Sequence, residues 1–345
     1  EISLGLVGSE MCIRDRINFN GIPAVHFTAG GYEAIMVPSV GANVVKLKHT
    51  ATGIEVLRTP DAEEMENFKE RPQIYGLPLL FPPNRIADGT YTFESRKYQY
   101  PITIPAQNNY HHGIIKSEPF TVSRTVERND FVEIEAVYYS NLFNNAIFRD
   151  FPHEFCCRMI FRLDADGLHQ TTVFENLSDK DMPVGMGFHT PIRVPFTPDG
   201  KAENYRIRLS VGKRMEMNER TLPTEKLFDL SPAEAPLRKE GIAPCGEAME
   251  WALVNETLEI NGHPYNGAVM TDTASGWSAC YEVDENFKYW TLWNNGGNVP
   301  YACPEPQSWA TNAPNLSDPE AYGFRYIAPG SEFRASTHLF VSNKM

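Results

Sequence analysis

Phe155–Asn176 reads FCCRMIFRLDADGLHQTTVFEN, and the interpretation of these residues decides the fold class. Two runs rich in β-branched and aromatic residues meet at DADG, Asp164–Gly167. Such runs suit a pleated surface, and a short Asp/Gly stretch between them is a hairpin turn signal. Outward from this hairpin the same pattern recurs. Phe131–Ser140, FVEIEAVYYS, alternates apolar and polar positions, and Tyr32–His49 gives two strands around a Gly/Pro turn. Further strand candidates are 205–212, 267–272, 277–283, 288–295 and 336–342, separated by turns drawn from 26 prolines and 24 glycines. Helical signals are few, the best being Asp61–Arg71, DAEEMENFKER, with an acidic first turn. Many strands without βαβ alternation predict an all-β chain, a large antiparallel β-sandwich with few short helices.

The length of 345 residues allows one large β domain with a sizeable core. Residues 213–262 are polar and loop-rich, but strands resume beyond them, so they are expected to form an excursion within one domain, 17–345. Residues 1–16, EISLGLVGSEMCIRDR, lack the basic start and long apolar stretch of a signal peptide and are expected to be foreign to the native chain. The formal charge of −13 argues against nucleic acid or an anionic membrane as the main partner. No apolar run is long enough to span a bilayer. Six cysteines, at 11, 156, 157, 245, 280 and 303, show no CxxC spacing and fit reduced thiols in the cytoplasm.

Four segments carry candidate chemistry. In Leu77–Tyr91, LPLLFPPNRIADGTY, Asn84 and Arg85 emerge where a strand leaves the core. Arg85 could hold hydroxyls or a carboxylate through its fork, or form a structural ion pair. In Asn108–Ile115, NNYHHGII, strand alternation would turn His111 and His112 to opposite faces, so one at most should line a given pocket. In Pro183–Phe196, PVGMGFHTPIRVPF, His189 has no acidic neighbour and could equally be a satisfied core residue. In Tyr301–Asn315, YACPEPQSWATNAPN, Glu305 stands between two prolines that stiffen its backbone. That suits a positioned acid or base, and also an edge strand, where proline's missing donor is tolerated. HxH, HExxH and Cys/His spacings are absent, so any metal site would have to be assembled purely in three dimensions. Trp290, Trp293, Trp309, Tyr301 and Tyr110 could pack on sugar C–H faces or simply fill the core.

Taken in order, NRIADGTY (84–91), YHHGI (110–114), GFHTPIRV (187–194), CPEPQSW (303–309) and the PG at 329–330 resemble the aldose 1-epimerase (galactose mutarotase) family, from about residue 20 to the C-terminus. The resemblance implies a β-sandwich and interconversion of the α and β anomers of a free sugar, with no metal or cofactor. It implies Glu305 as general base, His189 as general acid, and Asn84, Arg85 and His112 as sugar-holding residues. The family's binding aspartate falls in a segment that here reads HPYNGAVMTD (263–272), leaving Asn266 or nothing in its place, and its glutamine has no clear counterpart. The expected enzyme is an isomerase acting as a monomer or homodimer on a small-molecule sugar, with acid and base flanking the ring. The rivals are a carbohydrate-binding protein without activity, a sugar-phosphate mutarotase drawing on Arg193 or Lys213, and a glycoside hydrolase or lyase.

Overall fold

A computed structural model describes residues 13–141 and 145–345. The hairpin of 155–176 forms as expected: Phe155–Asp164 pairs with Gly167–Asn176 from Phe155↔Asn176 to Asp164↔Gly167. It lies in the middle of an eight-stranded antiparallel sheet, flanked by Val132–Ser140 on one side and Glu332–Ser342 on the other. In Val132–Ser140, Val132, Ile134, Ala136 and Tyr138 are buried while the residues between them are partly exposed. That period of two puts one face on the core. Phe155, Cys157, Met159, Phe161 and Leu163 continue the same face across the sheet. Burial of each such Phe, Leu or Met side chain contributes about 1.5–3 kcal/mol.

A second eight-stranded sheet holds Val211–Met217, Glu250–Asn255, Tyr289–Trp293 and Tyr301–Gln307 as successive neighbours. Its inner residues, among them Leu253, Trp290 and Leu292, join the same core cluster as the first sheet, giving an antiparallel β-sandwich. A third sheet of five strands covers Ile13–Glu55. Helices are short: Met65–Glu70 falls inside the expected 61–71, and Asn145–Asp150 had no clear sequence signal. The polar stretch 213–262 is no linker, since it supplies Pro223–Asp229 and Glu250–Asn255 to the second sheet. Of the segment 1–16, residues 1–12 lie outside the described residues, and 13–16 begin a strand paired with Ile22–Ala29. Among the described residues no helix is long and apolar enough to cross a membrane. The five cysteines among them, Cys156, Cys157, Cys245, Cys280 and Cys303, are unpaired.

One interruption in the second sheet positions the site. Tyr301–Gln307 pairs along one edge with Tyr289–Trp293, with Thr291 opposite Glu305. Along its other edge it meets Ile192–Arg193 at one end, Ile192↔Ala302, and Gly187 at the other, Gly187↔Gln307. Between those contacts residues 188–191 arch away from the ladder. Pro304 and Pro306 therefore sit where the strand has a free edge, and proline's missing donor costs nothing there. Gly187 is required by close approach: a Cβ there would meet the Pro306 carbonyl oxygen at 2.7 Å.

Candidate active site

His189 lies on the arch and Glu305 on the strand it leaves, so the gap in the ladder brings them face to face. His189 Nε2 is 3.1 Å from Glu305 Oε1, and the residues are 3% and 2% exposed. Burial pushes the Glu305 carboxyl well above the usual range. The Arg85 charge works against that shift, and the Glu250 charge adds to it. Burial also pulls His189 down to about 3, a nearby Arg71 charge adding to the effect. Both shifts oppose free charge on the two touching groups.

The pair forms part of the wall of a cavity of about 290 Å³ that Asn84, Arg85, His112, Thr291 and Trp293 also line. Asn84 and His112 both have left-handed backbones, φ 56° and 64°, and are tied by a hydrogen bond from the His112 N–H to the Asn84 carbonyl. Positive φ on non-glycine residues costs energy and concentrates at functional sites. Asn84 Nδ2 donates to Thr291 Oγ1 at 3.0 Å, and Gln307 Nε2 donates to the same oxygen at 3.0 Å. Arg85 is held by Asn84 Oδ1, Gln107 Oε1 and Glu250 Oε1. Its Nη2 stands 2.8 Å from Glu250 Oε1, so the residue is both an ion-pair member and part of the cavity wall.

His111 lines the cavity beside His112, against the expectation of opposite faces. The strand Asn109–His111 ends before His112, and the left-handed turn at His112 cancels the alternation. The two rings lie against each other, and His112 meets His189 edge-on at 5.2 Å between ring centres. Burial holds both His111 and His112 well below the ordinary histidine range, so both are neutral near pH 7.

Asn266 is not among the residues of this cavity wall. Its oxygen accepts from Asn255 Nδ2 and Ser210 Oγ, and its Nδ2 donates to the Val283 and Asp284 carbonyls, which consumes the amide within the fold. The aspartate of the same segment, Asp272, lines a different cavity. Of the five aromatic candidates, Trp293 alone is found on the wall. Trp290 and Trp309 are core residues, Tyr110 stacks on Tyr100, and Tyr301 lies under Arg58 beside another cavity. Arg71, Gln73, Ile74, Glu250 and Thr291 line the cavity without having been singled out in the sequence. Thr291 had a detectable signal, its strand neighbouring the one that carries Glu305. Arg71 and Gln73 had none.

Nine buried side-chain polar atoms lack a hydrogen-bond partner among the described residues, and four belong to this wall: Gln73 Oε1, His112 Nδ1, His189 Nδ1 and Glu305 Oε2. A buried polar atom left unpaired costs about 1–3 kcal/mol, so their concentration marks a surface built for a polar ligand. His112, His189 and Glu305 also place one ligand atom each within 4.8 Å of one another, a donor set able to hold a metal ion.

The sequence profile of the family described as Aldose 1-epimerase matches residues 23–339. Among solved structures, a galactose mutarotase-like protein from Clostridium acetobutylicum is 34% identical, with a TM-score of 0.94 over 97% of this chain and 99% of that one. The galactose 1-epimerase from Lactobacillus acidophilus NCFM is 13% identical, with a TM-score of 0.69 over 96% and 99%, which speaks to the fold. The "Uncharacterized protein YihR" of Escherichia coli (strain K12) is 23% identical over 202 residues, and the match spans 58% of this chain and 59% of that relative.

Proposed function

The chain belongs to the aldose 1-epimerase family, and from that premise we propose that it interconverts the α and β anomers of a free aldose at the His189–Glu305 pair. The observation that carries this reading is the 3.1 Å contact between two buried titratable groups on a cavity wall with unpartnered polar atoms. Ring opening moves two protons at one carbon: the C1 hydroxyl loses one and the ring oxygen gains one. Both oxygens are bonded to C1, so the acid and the base converge on that carbon. His189 and Glu305 stand 3.1 Å apart on the cavity wall, ready to meet that carbon together.

In the reactive form the pair is ionised. Glu305 takes the hydroxyl proton while His189 gives its proton to the ring oxygen. The aldehyde turns about C1–C2, and reclosure runs the transfers backwards, so the pair ends as it began. Proton number is conserved and no covalent intermediate is formed. Asn84, His111 and His112 supply neutral donors and acceptors for hydroxyls. Arg85, screened by Glu250, stabilises negative charge developing on the sugar oxygens. One chain supplies every group named here, so a monomer suffices, and the unpaired thiols support a cytoplasmic location.

The test is anomerisation of freshly dissolved α-aldoses, followed by polarimetry or NMR with and without protein. Acceleration that disappears in Glu305→Gln is the expected result. Sugar binding without acceleration of any aldose in a broad panel would make the protein a carbohydrate binder instead.

A further inference from the structure

We propose that the sugar taken by this cavity carries an anionic group remote from C1, held by Arg71; this deepens the epimerase reading and rests on it. The charges on the wall lead there. Arg85 is paired with Glu250 at 2.8 Å, and Glu305 faces His189 at 3.1 Å. Arg71 is left over. Among the described residues its guanidinium makes no hydrogen bond and no ion pair, although the chain carries 44 acidic side chains against 31 basic ones. The cations that the sequence nominated for a phosphate clamp are occupied: Arg193 binds Glu55 at 3.0 Å and Lys213 binds Asp229 at 3.2 Å. Arg58, beside the neighbouring cavity, is bound to Glu64.

Arg71 stands on a rigid base. It caps the helix Met65–Glu70, its N–H bonding to the Asn67 carbonyl, and that helix is anchored by buried Met65 and Phe68. The buried Asn43 amide ties down the next residues, donating to the Tyr75 carbonyl at 2.9 Å and the Pro72 carbonyl at 3.4 Å. Arg71 is exposed while His189 and Glu305 are buried, and all three line the cavity, so its guanidinium stands at the rim. Two residues on, Gln73 offers the same wall a buried amide oxygen without a partner, suited to a sugar hydroxyl near the charged group. A free guanidinium fork matches the paired oxygens of a phosphate, a sulfate or a carboxylate.

The experiment measures anomerisation of glucose, glucose 6-phosphate, glucose 6-sulfate and glucuronate by wild-type, Arg71→Gln and Arg71→Lys protein, with calorimetric binding of glucose 6-phosphate in parallel. The wild type is expected to favour at least one anionic sugar over glucose in kcat/KM by about 10-fold or more, and Arg71→Gln to lower that value by roughly 10-fold to 100-fold. Arg71→Lys, charged but without the fork, should fall between them, and the preference should shrink as salt rises. The sugar affected most identifies which oxyanion is recognised. Wild-type turnover of glucose equal to that of every anionic sugar overturns the proposal, as does a preference unchanged in Arg71→Gln. If no aldose is accelerated, the epimerase reading fails separately, and calorimetry decides: binding at least 10-fold weaker in Arg71→Gln upholds the anion site, and equal binding removes it.

Discussion

Glu305 and Asp272 are both 2% exposed, and each lines a cavity of about 290 Å³. Their surroundings differ in one respect. Asp272 accepts hydrogen bonds from Thr197 Oγ1 at 2.9 Å, Ser275 Oγ at 2.8 Å and the Ala274 N–H at 3.1 Å. Burial raises its pKa, but those donors outweigh burial and hold it below the ordinary aspartate range. Glu305 touches His189 through one oxygen and leaves the other unpartnered, and burial wins. One carboxylate has been satisfied by the fold. The other has been desolvated and left available, which raises its hold on a proton.

The comparison is broken most directly at the His189–Glu305 pair. Glu305→Gln and His189→Asn should each lower turnover by about 10²–10⁴-fold, with a melting temperature equal to or above that of the parent. Polarimetry and circular dichroism on the same preparations check this, and wild-type kcat in either variant ends the role assignment. Arg85→Ala comes next, with roughly a 10-fold to 100-fold loss in kcat/KM expected from one charged hydrogen bond. Asp272→Ala should do the reverse, leaving turnover within about twofold while costing about 1–3 kcal/mol in urea unfolding, because the Thr197 and Ser275 hydroxyls lose their acceptor.

The smallest effect is in pH. A depressed folded pKa makes the contribution of Asp272 to stability present above about pH 4 and lost as pH falls through the folded value, so Asp272→Asn should flatten the acid limb of unfolding. A raised folded pKa gives Glu305 the opposite sign. Its contribution is present below about pH 4.5 and is lost as pH rises towards the folded value, so Glu305→Gln should flatten the opposite limb.

Strand placement was legible because it depends on local chemistry. The 155–176 hairpin and the strand at 132–140 follow from alternation and turn residues, which act over a few positions. Strand alternation does not separate His111 from His112, because His112 turns left-handed and both line the cavity. Arg71 and Gln73 were invisible because nothing in ERPQIYG marks a cavity wall until helix Met65–Glu70 is folded against its neighbours. Asn266 failed for a related reason: position in a motif does not reveal which amides the fold has already consumed.

By itself, then, the sequence determined the layers and nominated Glu305, His189, Asn84, Arg85 and His112, since residue type and period survive any arrangement of the elements. Tertiary structure alone decided that a gap in one ladder sets His189 against Glu305, that Asp272 is fully bonded, and that Arg71 is left without a counter-charge. Pairing and desolvation are properties of neighbours in space, and the chain brings those neighbours together only when it folds.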